Sequence, residues 1–171
     1  WLQSIYAALV AKHLAKMIKI RGSERFFLLG LLHNLGELLV AIQAPDLAIK
    51  CCKYDEKTSP WKLQRQVLGF DYANCSAKLM EFWHLPSQLY IPVMDLHNEN
   101  KALENKDVAI IYTAVRAGIA MTHDNLYSAS QLINPLVLKY LNLDQEDLKD
   151  AIKFASMEAD GVLVVMNPSF R

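Results

Sequence analysis

The 171-residue chain has no excess of charge of either sign, and it has few cysteines. Lys plus Arg number 18, as do Asp plus Glu, so the formal net charge is zero. Because a nucleic-acid-binding surface normally carries an excess of basic residues, this balance argues against nucleic acid as a partner. The three cysteines (Cys51, Cys52 and Cys75) are odd in number and have no CxxC spacing, so we expect free thiols in a reducing cytoplasm.

Several sequence motifs that would indicate a particular function are also absent. The chain contains no phosphate-binding glycine loop, no nucleophile elbow and no HExxH sequence. It shows no signal peptide and no run of about 18 apolar residues, from which we expect no membrane span and no membrane partner. The chain begins at Trp1 directly within a helical pattern, and we therefore expect it to be part of a larger protein.

Apolar residues recur at helical spacing along most of the chain, whereas strand-like alternation is rare. This pattern predicts an all-α fold, a compact multi-helix bundle that forms one domain over residues 1–171. The predicted helices cover residues 1–20, 23–42, 45–54, 60–68, 72–83, 107–121 and 135–141, with one that restarts at Ser87 and another that is capped by Asp144. Residues 97–106 are predicted to be a polar loop, and the sequence leaves the secondary structure of residues 161–166 open.

The predicted helix over residues 23–42 is apolar on all sides, which indicates a central and fully buried helix. Its glycines, Gly30 and Gly36, lower helix stability and suit a close approach of another backbone. In the helix over residues 72–83, the side chains predicted to face inward are Tyr72, Cys75, Leu79, Phe82 and Trp83.

One polar pair, His33-Asn34, lies in the middle of this apolar helix. A divalent metal needs several converging ligands, with carboxylates to offset its charge, and an adjacent His-Asp pair can supply two of them. Asn34 offers only a neutral carbonyl oxygen. The favoured interpretation is a buried histidine with both ring nitrogens hydrogen-bonded, and the alternative is a metal ligand.

The residues around this pair resemble a known family. "FFLLGLLHNLGELLV" is similar to the signature of the HD-domain superfamily, in which leucines precede His-Asp and a glycine follows. "VLGFDYANCSAKLMEFWHLP" resembles a characteristic segment of the HDOD family (HD-related output domain). "VMDLHN" matches the place where that family often has a His-His pair, and "WLQSIYAALVAKHLA" resembles its opening helix. These segments occur in the family's order from Trp1 to about Ala120.

The resemblance implies an all-α HD-like bundle, which in the family usually follows another helical portion that this chain lacks. It also implies a role in bacterial signal transduction, and a non-catalytic one, in contrast to the metal-dependent phosphohydrolases of the wider superfamily. The positions that correspond to the superfamily's metal site are Gln3, His33, Asn34, Tyr72, His97, Asn98 and Arg116. Because only two histidines remain there, the resemblance implies a vestigial site that holds no metal and no cofactor.

These observations favour a cytoplasmic regulatory module that binds another signalling protein or domain, or a small ligand in the vestigial cleft. The alternative is a phosphohydrolase that acts on nucleotides or cyclic dinucleotides, with a metal held by His33, Asp95, His97 and Glu99. A structural dimerisation unit is a third hypothesis, and the oligomeric state stays open. His97, which follows a helix, is otherwise expected to be a surface or capping residue.

Overall fold

Helix α9 (Lys106–Thr122) forms the centre of the structure, a computed structural model that describes residues 1–166. Every residue from Val108 to Ala120 is buried. Helix α1 (Leu2–Met17) packs along α9, and it also packs against α2 (Glu24–Leu32) and α12 (Gln145–Met166). The four helices contribute most of the residues of the main hydrophobic core, and burial of such apolar side chains is the main source of folding free energy.

Shorter helices surround this centre, and no β-strand occurs within residues 1–166. They are α3 (Leu35–Gln43), α4 (Pro45–Cys51), α5 (Pro60–Leu68), α6 (Tyr72–Phe82), α7 (Ser87–Asp95), α8 (Glu99–Ala102), α10 (Ala129–Leu132) and α11 (Pro135–Tyr140). The predicted all-α fold is therefore confirmed. Local signals explain several boundaries: Pro60 opens α5, Gly69 ends it in the left-handed conformation, and the Asp71 carboxylate accepts a hydrogen bond from the Asn74 backbone N–H.

The predicted single buried helix over residues 23–42 is wrong in two respects. The helix stops after Leu32 and restarts at Leu35, because the His33 side chain donates to the Gly30 carbonyl, the acceptor that the Asn34 N–H would use in a continuous helix. The second half is also far from fully buried, since Leu38 is 52% exposed and Ile42 is 64% exposed. The helix that is buried along its whole middle is α9 instead.

Two further details differ from the sequence-based prediction. Phe82 is 76% exposed and Trp83 is also exposed, because the buried face of α6 runs through Ala73, Ala77 and Met80. Phe82 lies opposite that face, and Trp83 follows the last turn of the helix. The predicted polar loop over residues 97–106 contains the short helix α8, and residues 161–166 form the end of α12.

The stretch Glu24–Gln43 is long and apolar enough, by length and composition alone, to cross a membrane, with a mean hydropathy of 1.6. The stretch includes the charged residues Glu24, Arg25 and Glu37, and the expected absence of a membrane span stays a prediction. Only 33% of its most apolar window is buried within the described structure. A core helix of a water-soluble protein passes the same test, so the finding is weak evidence for a membrane location.

Both glycines of the α2–α3 region lie where another backbone approaches closely, as predicted. A Cβ at Gly30 would overlap backbone atoms of Ala7 and Ala8 in α1. A Cβ at Gly36 would overlap the backbone carbonyl of Tyr72 in α6. Because backbone atoms move only if a whole helix moves, neither position tolerates even a methyl group without displacement.

We expect Gly30→Ala to lower the free energy of unfolding by about 1–3 kcal/mol, because overpacking against α1 outweighs the gain in helix propensity. Urea-induced unfolding followed by circular dichroism measures the difference. Gly161→Ala is the matched control, since Gly161 lies in α12 with open space around its Cα, and it should be neutral or slightly stabilising. Equal stability of the two variants would contradict the close contact between α1 and α2.

Candidate functional site

A small cavity of about 20 Å³ lies at the junction of α1, α2, α3, α5, α6 and α9. A space of this size holds about one water molecule. Most of its lining side chains carry hydrogen-bonding groups. These side chains are Gln3, His33, Asn34, Glu37, Tyr54, Trp61, Gln64, Tyr72 and His97.

Five of the seven predicted site residues line this cavity: Gln3, His33, Asn34, Tyr72 and His97. The structure thus brings together residues that are up to 94 positions apart in the sequence. Asn98 does not join them. Its exposed side chain accepts a hydrogen bond from the Lys101 backbone N–H and caps α8. Arg116 lies behind the cavity, against the ring of Trp61.

His33 has partners for both ring nitrogens, which confirms the favoured interpretation of this residue. Its Nδ1–H donates to the Gly30 carbonyl at 2.6 Å, so in the neutral ring Nε2 is the acceptor. The side-chain amide of Gln3 donates to that Nε2 at 3.4 Å. The side chain is 2% exposed, and burial lowers its pKa to about 4, so the ring is neutral at pH 7.

His97 is not the surface or capping residue that its place after α7 suggests. Its ring stacks on Trp61 with centroids 4.7 Å apart, and its Nδ1 is enclosed with no hydrogen-bond partner. Burial lowers the pKa of His97 well below its ordinary value, and the positive charge of Arg116 adds to this effect. His97 is therefore a second neutral imidazole beside the cavity at pH 7.

Arg116 is a buried cation, only 3% exposed. Its Nη1 donates to the carbonyls of Leu96 and Tyr112, each at 3.1 Å. Its Cζ lies 3.4 Å from the ring centroid of Tyr112 and 4.4 Å from that of Trp61, which places the charge against two aromatic faces. No carboxylate of residues 1–166 forms an ion pair with it, and burial lowers its pKa to about 10. The guanidinium is still charged at pH 7.

The side chains at this site do not fit the divalent metal that the HD superfamily would imply. The acceptor nitrogen of His33 is occupied by Gln3, and the side-chain amide of Asn34 donates to the Glu37 carboxylate. Nowhere in residues 1–166 do three His, Cys, Asp or Glu side chains converge as a metal site requires. The set proposed for the alternative enzyme does not form either, because the Glu99 carboxylate accepts from Asn134 instead.

The lining of the cavity contains one charged side chain. Glu37 is the only charged residue among those that line it. Its negative charge contributes to the raised pKa of Tyr54 and Tyr72, although burial is the larger cause for both phenols. The charge of Glu37 repels phosphate groups, and the nearby cation Arg116 lies behind the lining rather than in it.

Sequence reasoning missed four of the lining side chains that carry hydrogen-bonding groups: Glu37, Tyr54, Trp61 and Gln64. For three of them the sequence contains a signal. Glu37 comes one helical turn after His33-Asn34, and Trp61 and Gln64 share the inward face of the amphipathic helix α5. Tyr54 belongs to the connection between α4 and α5, and helical spacing says nothing about the side chains of a loop.

Stability should fall in acid because His33 is buried as a neutral ring. The unfolded chain binds a proton near pH 6.5 and the folded chain only near pH 4, so this stability is complete above pH 6.5 and is lost as the pH falls towards 4. The full difference is about 3 kcal/mol. In urea unfolding near neutral and near mildly acidic pH, His33→Gln should show a smaller pH dependence than the native chain. His97 contributes with the same sign, so some dependence should remain.

The control for this experiment is His84→Gln, since His84 is exposed. This variant should retain the full pH dependence. If His33→Gln retains it as well, His33 is not buried as a neutral ring.

Comparison with known proteins shows which solved structures are similar in fold. Three solved structures share the fold. The first is a Marinobacter aquaeolei VT8 protein named provisionally as a signal transduction protein, with a TM-score of 0.76 and 21% identity. The second is a Shewanella amazonensis SB2B protein named provisionally as a phosphohydrolase (TM-score 0.67, 21% identity), and the third is the MmoQ response regulator of Methylococcus capsulatus str. Bath (TM-score 0.63, 17% identity).

The similarity covers 96%, 94% and 89% of this chain, respectively. The chain spans only 38%, 60% and 59% of those three proteins. No curated protein matches. The sequence model of the HDOD domain matches residues 1–99, more than half of the chain, and includes five lining residues that the sequence had already singled out. The chain therefore belongs to the HDOD domain family.

Proposed function

We propose that this chain is a non-catalytic module of signal transduction, which acts by binding another signalling protein or domain, or a small ligand at the cavity. The main support for this proposal is the hydrogen bonding of the two ring nitrogens of His33. Its Nδ1–H donates to a backbone carbonyl, as in many metal-binding histidines, but its Nε2 accepts from Gln3. The atom that would bind a metal is thus engaged within the protein.

The charge of the cavity lining also supports this proposal over hydrolysis of a nucleotide. The volume of about 20 Å³ does not separate the two functions, because any ligand larger than water needs the cavity to widen. Phosphate substrates are usually held by cations or by a bound metal, whereas the only charge in this lining is that of Glu37. Arg116 is engaged with Leu96 and Tyr112 behind the lining.

Apolar side chains on the outer face of α2 and α3 support the proposal of a protein partner. Leu28, Leu38, Leu39 and Ile42 are all exposed there. Large exposed apolar patches on a protein surface commonly mark interaction sites. We further propose a bacterial cytoplasmic setting, which suits the three free thiols, Cys51, Cys52 and Cys75.

The test is metal analysis of protein purified without chelator, together with a phosphodiesterase assay on bis-(p-nitrophenyl) phosphate and on cyclic dinucleotides with added Mn²⁺. We expect far less than one Mn, Fe or Zn ion per chain and no turnover above buffer. Stoichiometric metal and turnover that are both lost in His33→Ala would overturn the proposal in favour of a metal-dependent phosphohydrolase.

We expect Asn34→Asp alone to bind no divalent metal. The new carboxylate would still lie beside a His33 whose Nε2 accepts from Gln3, and the Arg116 charge would remain behind the cavity. Titration calorimetry with Mn²⁺ measures the affinity, with Asn98→Asp as the control for a carboxylate added at the surface. Binding by Asn34→Asp that the control lacks would show that one carboxylate is enough to complete a metal site.

A further inference from the structure

The short segment between α4 and α5, residues 53–59, contributes Tyr54 to the wall of the cavity, and we call this segment the strap. The strap is folded on itself. Asp55 and Thr58 form an isolated β-bridge, and the Asp55 carboxylate accepts from the backbone N–H groups of Lys57 and Thr58, each at 2.7 Å. These local hydrogen bonds give the strap a shape of its own, so it is able to move as a unit.

One face of the strap points to solvent and the other closes the cavity. The side chains of Lys53, Asp55, Glu56 and Lys57 are exposed. Tyr54, between them, lines the cavity and packs its ring against His123 at a centroid distance of 4.7 Å. Removing Tyr54 from this position would open the space in which His33 lies.

The strap has few attachments to the rest of the protein. The Tyr127 hydroxyl, which belongs to the connection after α9, lies 2.9 Å from the carbonyl oxygens of both Asp55 and Thr58. A hydroxyl has a single proton, so it donates to one of these carbonyls at a time. Within the described chain, no other hydrogen bond or ion pair joins residues 54–58 to an element outside the strap.

The remaining walls are held differently. α1, α2 and α9 meet through backbone contacts at Gly30 and Gly118, which shift only if whole helices move. Since the cavity has room for only about one water molecule, a larger ligand enters only if one wall gives way. α3 and α5 are also tied to α6, through the hydrogen bond from the Gly36 N–H to Ser76 and that from the Tyr72 N–H to the Gln64 side chain. Within residues 1–166, residues 54–58 of the strap are hydrogen-bonded to the rest of the protein by the Tyr127 hydroxyl alone.

We propose that the strap is a lid over the cavity and that the Tyr127 hydroxyl is the latch that keeps it closed. The inference rests on the proposed function, since it names how a ligand would reach that site. Opening of the lid would carry Tyr54 away from His33 and break the hydrogen bonds to Asp55 and Thr58. The position of the strap would then report whether the cavity is occupied.

The test compares Tyr127→Phe with the native chain by acylation of His33 with diethyl pyrocarbonate, read by peptide mass spectrometry. The reagent attacks neutral imidazole and is too large for the closed cavity, so the rate reports opening. Loss of one hydrogen bond should raise the rate at His33 by about two- to tenfold. His84, which is exposed, should react at the same rate in both proteins. Tyr140→Phe, away from the strap, is the matched control and should leave the His33 rate unchanged.

Two outcomes would overturn the proposal that the strap is a lid. One is an unchanged rate at His33 in Tyr127→Phe. The other is a faster rate accompanied by an equal rise in hydrogen exchange of the buried α9 amides, because the variant would then unfold as a whole. Either result leaves the proposed function intact, since that function is tested by metal content and turnover rather than by access to His33.

Discussion

The contact between Gly30 of α2 and the backbone of α1 at Ala7 and Ala8 is the constraint on which the site depends. The two helices run antiparallel. One turn beyond Gly30, the chain therefore places His33 opposite Gln3, which is one turn before Ala7 on α1. Gly118 of α9 packs on the same part of α1, against Gln3 and Ala7. The hydrogen bond from Gln3 to His33 is thus a consequence of how closely three helices pack.

The two most buried charged side chains, Asp71 and Arg116, are stabilised in different ways. Asp71 is fully buried and pairs with Arg65, whose guanidinium reaches the solvent, so the pair keeps part of its hydration. Arg116 has no such partner and relies on two carbonyls and two aromatic faces. An uncompensated buried charge is costly unless hydrogen bonds and π faces replace its water. Arg116 therefore already places a positive charge at this end of the bundle, where a metal centre would otherwise supply one.

Much of the fold followed from the sequence because its signals are local. Pro60, Gly69 and Asp71 marked helix boundaries correctly, since each acts through its own backbone or its nearest neighbours. The interruption at His33-Asn34 was missed because it depends on a side chain that takes a backbone acceptor. The exposure of Phe82 was missed because hydrophobicity alone does not say which face of a helix meets the core.

The site was predicted in part, for a related reason. The resemblance to the family brought out Gln3, His33, Asn34, Tyr72 and His97, and all five line one cavity. It did not reveal Tyr54, which lies in a loop, or the stacking of His97 on Trp61, which requires α5 and the end of α7 to meet. Such contacts depend on how elements distant in sequence pack, and no periodicity within one element encodes them.

A cavity with room for only about one water molecule restricts how the proposed module could respond to a ligand. A ligand shifts the equilibrium between two conformations only by the difference between its affinities for them. The closed form, with room for about one water, offers almost no affinity for anything larger, so nearly all the binding energy would favour an open form. Because α1, α2 and α9 are fixed by backbone contacts, the open form that we propose would differ mainly at residues 53–59. Under that proposal, the exposed charges of the segment would be the surface through which another protein senses occupancy of the cavity.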